Sequence, residues 1–152
     1  MNLKRALLIF LILVAAVASL TVVSAESSVK VDGIDFKVPD GFTENKLNAQ
    51  DGADRDAGNF TYKWFLKTFE KNSTYLHIIV MDFNSSDDAK NAYGEITKGG
   101  MGTAKIVNGK TGICQEGVSE DGKGSAFIYC KDKCIVSINT NDKSLFEKVV
   151  PK

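Results

Sequence analysis

Few side chains in this sequence carry the chemistry of a catalyst. His77 is the only histidine, so a Ser–His–Asp or Cys–His relay would have to run through it. It lies in Tyr75-Leu76-His77-Ile78-Ile79, which reads as a strand apolar on both faces, where an imidazole is held by packing and hydrogen bonding. Three cysteines, Cys114, Cys130 and Cys134, supply thiols. A catalytic or shuttling thiol needs exposure and a lowered pKa, whereas a structural one is buried and inert. One histidine excludes a histidine-rich zinc centre. A Cys–His site would have to draw on Cys114, Cys130, Cys134 and His77, with Cys130-x3-Cys134 the spacing compatible with a metal loop.

Carboxylates and glycines add little. Asp51, Asp54 and Asp56 cluster, but without the ligand spacing and trailing glutamate of an EF-hand. Gly99-Gly100-Met101-Gly102 follows a helix instead of opening one, the wrong polarity for a phosphate cradle. The residues therefore assign no catalytic, cofactor-binding or metal position, and no cofactor is expected.

The elements that must position these groups follow from turn chemistry. Residues 29–31 and Ile34–Val38 alternate around Asp32-Gly33, a hairpin signal. Pro39-Asp40-Gly41 then ends the strand. Residues 43–59 are polar, with Leu47 the exception, and are expected to form a long mobile loop or a marginal helix. Residues 60–70 and Thr74–Phe83, rich in aromatic and β-branched side chains, predict two long paired strands, the second central. Ser85-Ser86-Asp87-Asp88 offers an N-cap and an acidic first turn. Ala89, Ala92, Tyr93 and Ile96 then make one apolar stripe, stopped by Lys98-Gly99-Gly100.

Four short strands follow, at 104–107, Lys110–Glu116, 125–130 and Cys134–Thr140, joined by Asn108-Gly109, Glu120-Asp121-Gly122 and Lys131-Asp132-Lys133. Asp142 caps a last helix with Leu145, Phe146, Val149 and Val150 as its buried edge. Hairpins dominate and strand–helix–strand alternation is absent. The expected fold is α+β: a mainly antiparallel sheet of about six to eight strands with two helices packed on it.

The first 25 residues set the address. Lys4 and Arg5 precede an uncharged apolar run over residues 6–23, and Val23-Ser24-Ala25 puts small residues before Glu26. These are the parts of a secretory signal cleaved between Ala25 and Glu26; the run is also long enough to serve as an uncleaved membrane anchor. Either way residues 26–152 are expected outside the cytoplasm, as a secreted or cell-surface single domain, touching the membrane only through residues 6–23 if these are retained. Without Lys4 and Arg5 the 19 basic residues become 17 against 19 acidic, a formal charge of −2. No positive field marks a nucleic-acid or anionic-lipid surface. Asn59, Asn72 and Asn84 each begin an N-x-Ser/Thr acceptor for N-glycosylation.

An exported chain also permits disulfides. If Lys131-Asp132-Lys133 is a three-residue loop, Cys130 and Cys134 oppose one another at its base, Cα atoms about 4.5–5.5 Å apart, within disulfide range. The expectation is a Cys130–Cys134 bridge with Cys114 a buried free thiol; a Cys114–Cys130 bridge is the rival.

Asp35-Phe36-Lys37-Val38-Pro39-Asp40-Gly41-Phe42 follows an aromatic-x-aliphatic-Pro-x-Gly-aromatic pattern. It resembles the opening of PsbP/Mog1-like domains, and residues 26–152 are similar to small secreted proteins of methanogenic archaea that carry such an opening. The resemblance implies an N-terminal hairpin beside an antiparallel sheet flanked by helices. It also implies a binding or assembly accessory with no catalytic residues to carry over. Two functions follow as expectations. One is a non-enzymatic exported domain that binds an extracytoplasmic protein or small ligand. The other is an exported thiol protein, redox-active or metal-binding, using Cys114, Cys130 and Cys134.

Overall fold

The computed structural model describes residues 26–152 apart from 58, 99–101 and 120–121. The signal or anchor over residues 1–25, its junction at Ala25, and Gly99-Gly100-Met101 lie outside the described residues. No helix of the described residues is long and apolar enough to cross a membrane.

β1 (Ser27–Val31) and β2 (Ile34–Val38) pair as a separate antiparallel ribbon. Asp32 and Gly33 at its tip both have positive φ, 46° and 74°, the backbone of a type I′ turn that matches strand twist. The main sheet comprises β3 (Thr43–Glu44), β4 (Gln50–Ala57), β5 (Phe60–Lys71), β6 (Thr74–Phe83), β7 (Thr103–Val107), β8 (Lys110–Glu116), β9 (Ser125–Lys131) and β10 (Cys134–Thr140). Its lateral order is β3-β5-β6-β10-β9-β8-β7, with β4 beside β3 on the same edge of β5, and all pairs are antiparallel. Helix α1 (Ser86–Lys98) follows β6; α2 (Phe146–Val149) ends the chain after a 3-10 turn over Lys143–Leu145. The fold is α+β, built mainly on antiparallel sheet.

β6 is central, between β5 and β10. The Ser85 hydroxyl accepts from the Asp88 N–H at 3.1 Å and donates to its carboxylate at 2.8 Å, which caps α1. Asp142 likewise accepts from the Ser144 N–H at 3.0 Å.

The expected loop over 43–59 is corrected. The chain forms β3, a 3-10 turn at Lys46–Asn48, and then β4, zipped along β5 from Gln50↔Leu66 to Ala57↔Phe60. A β-bulge between Asp51 and Ala53 accommodates Gly52 at φ 76°. Asp51, Asp54, Arg55 and Asp56 are exposed, so the strand is held by backbone pairing to a sheet that others have already buried.

Two cores flank the sheet. Leu76, Ile78 and Val80 of β6, Phe127 and Tyr129 of β9, and Val136 and Ile138 of β10 pack under the β1–β2 ribbon and α2. On the opposite face Phe83, Ala126, Ile128 and Ile135 pack under Ala89 and Ala92 of α1. The hairpin between β9 and β10 is one residue tighter than the sequence expectation. Lys131 faces Cys134 and Cys130 faces Ile135.

Candidate functional site

Two features have the geometry of a site, one on each face of the sheet. On the α1 face, helix and sheet diverge over the Phe60 end of β5. Phe60, Tyr62, Met81 and Phe83 from the strands and Ala92 and Ile96 from the helix enclose a groove of about 350 Å³. The rings interlock. Phe60 meets Phe83 edge-on with centroids 6.4 Å apart, and Tyr62 lies 5.2 Å from Phe83 and 6.3 Å from Trp64. Asn59 and Glu95 are the groove's polar lining. The alternation of β5 and β6 explains the wall. Residues 60, 62, 81 and 83 fall on one face of the pleat, in register through Tyr62↔Phe83. Ala92, with only a methyl side chain, leaves the space there unfilled.

On the ribbon face, three donors from three segments converge. Asp82 on β6 stands opposite Cys134, the first residue of β10, so their side chains share a face. The tip of the β1–β2 ribbon brings Asp32 over them. The Cys134 Sγ lies 3.7 Å from Asp82 Oδ1 and 3.8 Å from Asp32 Oδ2, and all three ligand atoms lie within 4.8 Å of one another. Lys133 bonds both Asp82 oxygens, at 2.9 and 3.0 Å. The same residues line a cavity of about 320 Å³ that also takes in Lys131 and Asp132. Burial, then the Asp82 and Asp32 carboxylates, push the Cys134 thiol up to about 12. Burial and the facing Asp82 raise Asp32 as well.

The structure separates the residues that a Cys–His site would have to combine. Cys114 and Cys134 belong to the ribbon-side core, and Cys130 packs against the α1-side core. His77 alternates away from Leu76 and Ile78, so it points to the α1 side with Cys130. It is half-buried, 4.9 Å from the Tyr75 ring, and burial lowers its pKa. This is the packed histidine that the sequence suggests.

The Cys130–Cys134 disulfide is corrected. All three cysteines are free, and the two-residue turn puts Cys130 and Cys134 on opposite faces. A one-residue change in loop length flips every side chain beyond it, so Cys130 aligns with Ile135 and not with Cys134, Val136 and Ile138. The same division of faces removes the rival Cys114–Cys130 bridge. Cys114 is buried. Burial is the leading cause of a raised pKa at both Cys114 and Cys130.

Asp51, Asp54 and Asp56 lie exposed along β4, and Asp56 accepts from the Thr61 hydroxyl at 3.1 Å. Asn59, Asn72 and Asn84 are all exposed, at turns or bends between elements. No local signal could have found Asp32, Asp82 and Cys134 together, because only the packing of the ribbon tip joins them.

The chain matches no protein-family model, and comparison with curated proteins and with solved structures also returns no match.

Proposed function

We propose that this chain is an exported, non-enzymatic binding domain, and that its ligand is a small apolar molecule held between α1 and strands β5 and β6. One observation carries the reading: the groove walled by Phe60, Tyr62, Met81, Phe83, Ala92 and Ile96. Its volume, about 350 Å³, falls in the range of small-molecule sites, which are mostly apolar with a few orienting polar groups. Asn59 and Glu95 supply those groups. Another hollow, about 470 Å³ between β2 and α2, is lined by Glu26, Asp35, Lys37, Glu147 and Lys148 among others. Its mixed charges favour no single ligand class. Export rests on the signal-like residues 1–25. The PsbP/Mog1-like assignment is supported by the N-terminal ribbon beside an antiparallel sheet, and binding accessories are the common role in such domains.

The thiol reading divides in two. Its redox arm is opposed by the raised pKa of all three cysteines, since the thiolate is the reactive form. Its metal arm rests on a separate cluster, taken up below.

Titration with the uncharged apolar dye N-phenyl-1-naphthylamine tests the groove. The folded chain should enhance dye fluorescence saturably. Ile96→Trp, which fills the groove, should weaken binding at least about tenfold, or 1.4 kcal/mol, with an unchanged far-ultraviolet circular dichroism spectrum. Lys37→Ala, at the other hollow, should leave it as it was. Equal binding by the parent chain and Ile96→Trp would refute the assignment.

A further inference from the structure

We propose that Asp32, Asp82 and Cys134 form a binding site for a borderline divalent cation of the zinc class, with two carboxylates and one thiolate as its protein ligands. The site lies on the sheet face opposite the groove and does not depend on it.

Spacing is the first argument. Ligand atoms about 2.0–2.3 Å from a tetrahedral zinc stand about 3.3–3.8 Å from one another. The Cys134 sulfur is 3.7 and 3.8 Å from the two carboxylate oxygens. Two of the three donor–donor edges thus already match such a tetrahedron, the third lies within 4.8 Å, and a fourth position faces the cavity.

Unmet hydrogen-bonding demand is the second. Cys134 is only 8% exposed, and its sulfur faces two carboxylate oxygens. A thiol has one hydrogen, so it can serve only one of them. Among the described residues no ion pair holds Asp32. The Tyr129 hydroxyl, on a residue 1% exposed in the same core as Cys134 and paired with Val136 two residues along β10, has no hydrogen-bond partner. The thiol hydrogen is thus shared between two carboxylate oxygens, and one of them is left without it.

Charge balance is the third. Two carboxylates, one thiolate, one dication and the Lys133 ammonium sum to zero. Coordination forms a sulfur–metal bond and breaks the S–H bond, and the proton passes to solvent. Lys133 keeps one Asp82 oxygen while the metal takes the other. A thiolate and only two carboxylates disfavour calcium and magnesium, which ask for six or more oxygens.

Titration of the reduced full-length chain with Cd2+, followed by the ultraviolet cadmium–thiolate absorption, tests the site, with Zn2+ and Ca2+ as competitors. One cadmium should bind per chain, displaced by Zn2+ and not by Ca2+. Cys134→Ser should abolish the band and Cys130→Ser should keep it. Asp32→Asn should weaken binding at least about tenfold, in the range found when groups supporting a metal are removed. Asn tolerates the positive φ of that turn, so this variant decides the question even if Cys134→Ser fails to fold. A band that survives Cys134→Ser, a band that depends on Cys130, an undiminished affinity in Asp32→Asn, equal competition by Ca2+, or no band with Cys134 reduced would each overturn the proposal.

Discussion

Tyr129 is the largest of the fully buried side chains, and its hydroxyl is the one buried side-chain oxygen or nitrogen among the described residues with no hydrogen-bond partner. An unserved buried hydroxyl costs about 1–3 kcal/mol of desolvation. Its absence costs almost no packing, because Phe keeps the ring that lies 5.7 Å from Phe127. In metal-free protein Tyr129→Phe should therefore raise stability by about 1 kcal/mol, read as a higher urea midpoint at unchanged slope. A fall in the midpoint would mean that the hydroxyl has a partner. The cysteines follow the same logic of burial. Each thiol is held in its neutral form first by desolvation, and at Cys134 further by two neighbouring carboxylates. That electrostatic setting is poor for a nucleophile. It suits a ligand group that ionises only when a cation arrives.

Among the elements, β8 and β9 approach closely at Gly112. A Cβ there would meet the Ile128 carbonyl oxygen at 2.3 Å and the Phe127 ring at 2.9 Å. The backbone oxygen cannot yield without breaking the ladder, so Gly112→Ala should destabilise the domain by about 1–3 kcal/mol or more. Thermal unfolding checks this, and an unchanged midpoint would contradict the packing. Elements with an apolar pattern or strong turn chemistry were legible before the structure. The Asp32-Gly33 and Asn108-Gly109 hairpins, the Ser85 cap with the Ala89–Ala92 stripe, and the buried Leu145, Phe146, Val149 and Val150 all stand where the residues place them. β4 was not legible, because Gln50, Asp51, Asp54, Arg55 and Asp56 carry no strand pattern and pair only because β5 offers a free edge. The Cys130–Cys134 error has the same kind of origin. Turn length at Asp132-Lys133 decides the face, and Lys-Asp-Lys does not say whether two residues turn or three.

For the whole molecule, one sheet separates two chemistries. The ribbon and α2 cover a core that ends in the Asp32, Asp82 and Cys134 cluster, while α1 covers only part of the opposite face and leaves the aromatic groove at its side. The cluster was invisible in the sequence because its members lie 50 and 52 residues apart along the chain. The groove was half visible. Its strand wall could be read from the alternation of β5 and β6, but the gap beside Ala92 depends on how the helix docks. The central claim is that this gap binds small apolar molecules. The most direct measurement is nuclear magnetic resonance of the folded chain titrated with naphthalene, following the methyl groups of Met81, Ala92 and Ile96 together with the rings of Phe60, Tyr62 and Phe83. The account predicts saturable shifts concentrated on these residues. Shifts centred on Lys37 and Lys148 at the other hollow, or no saturable shift anywhere, would contradict it.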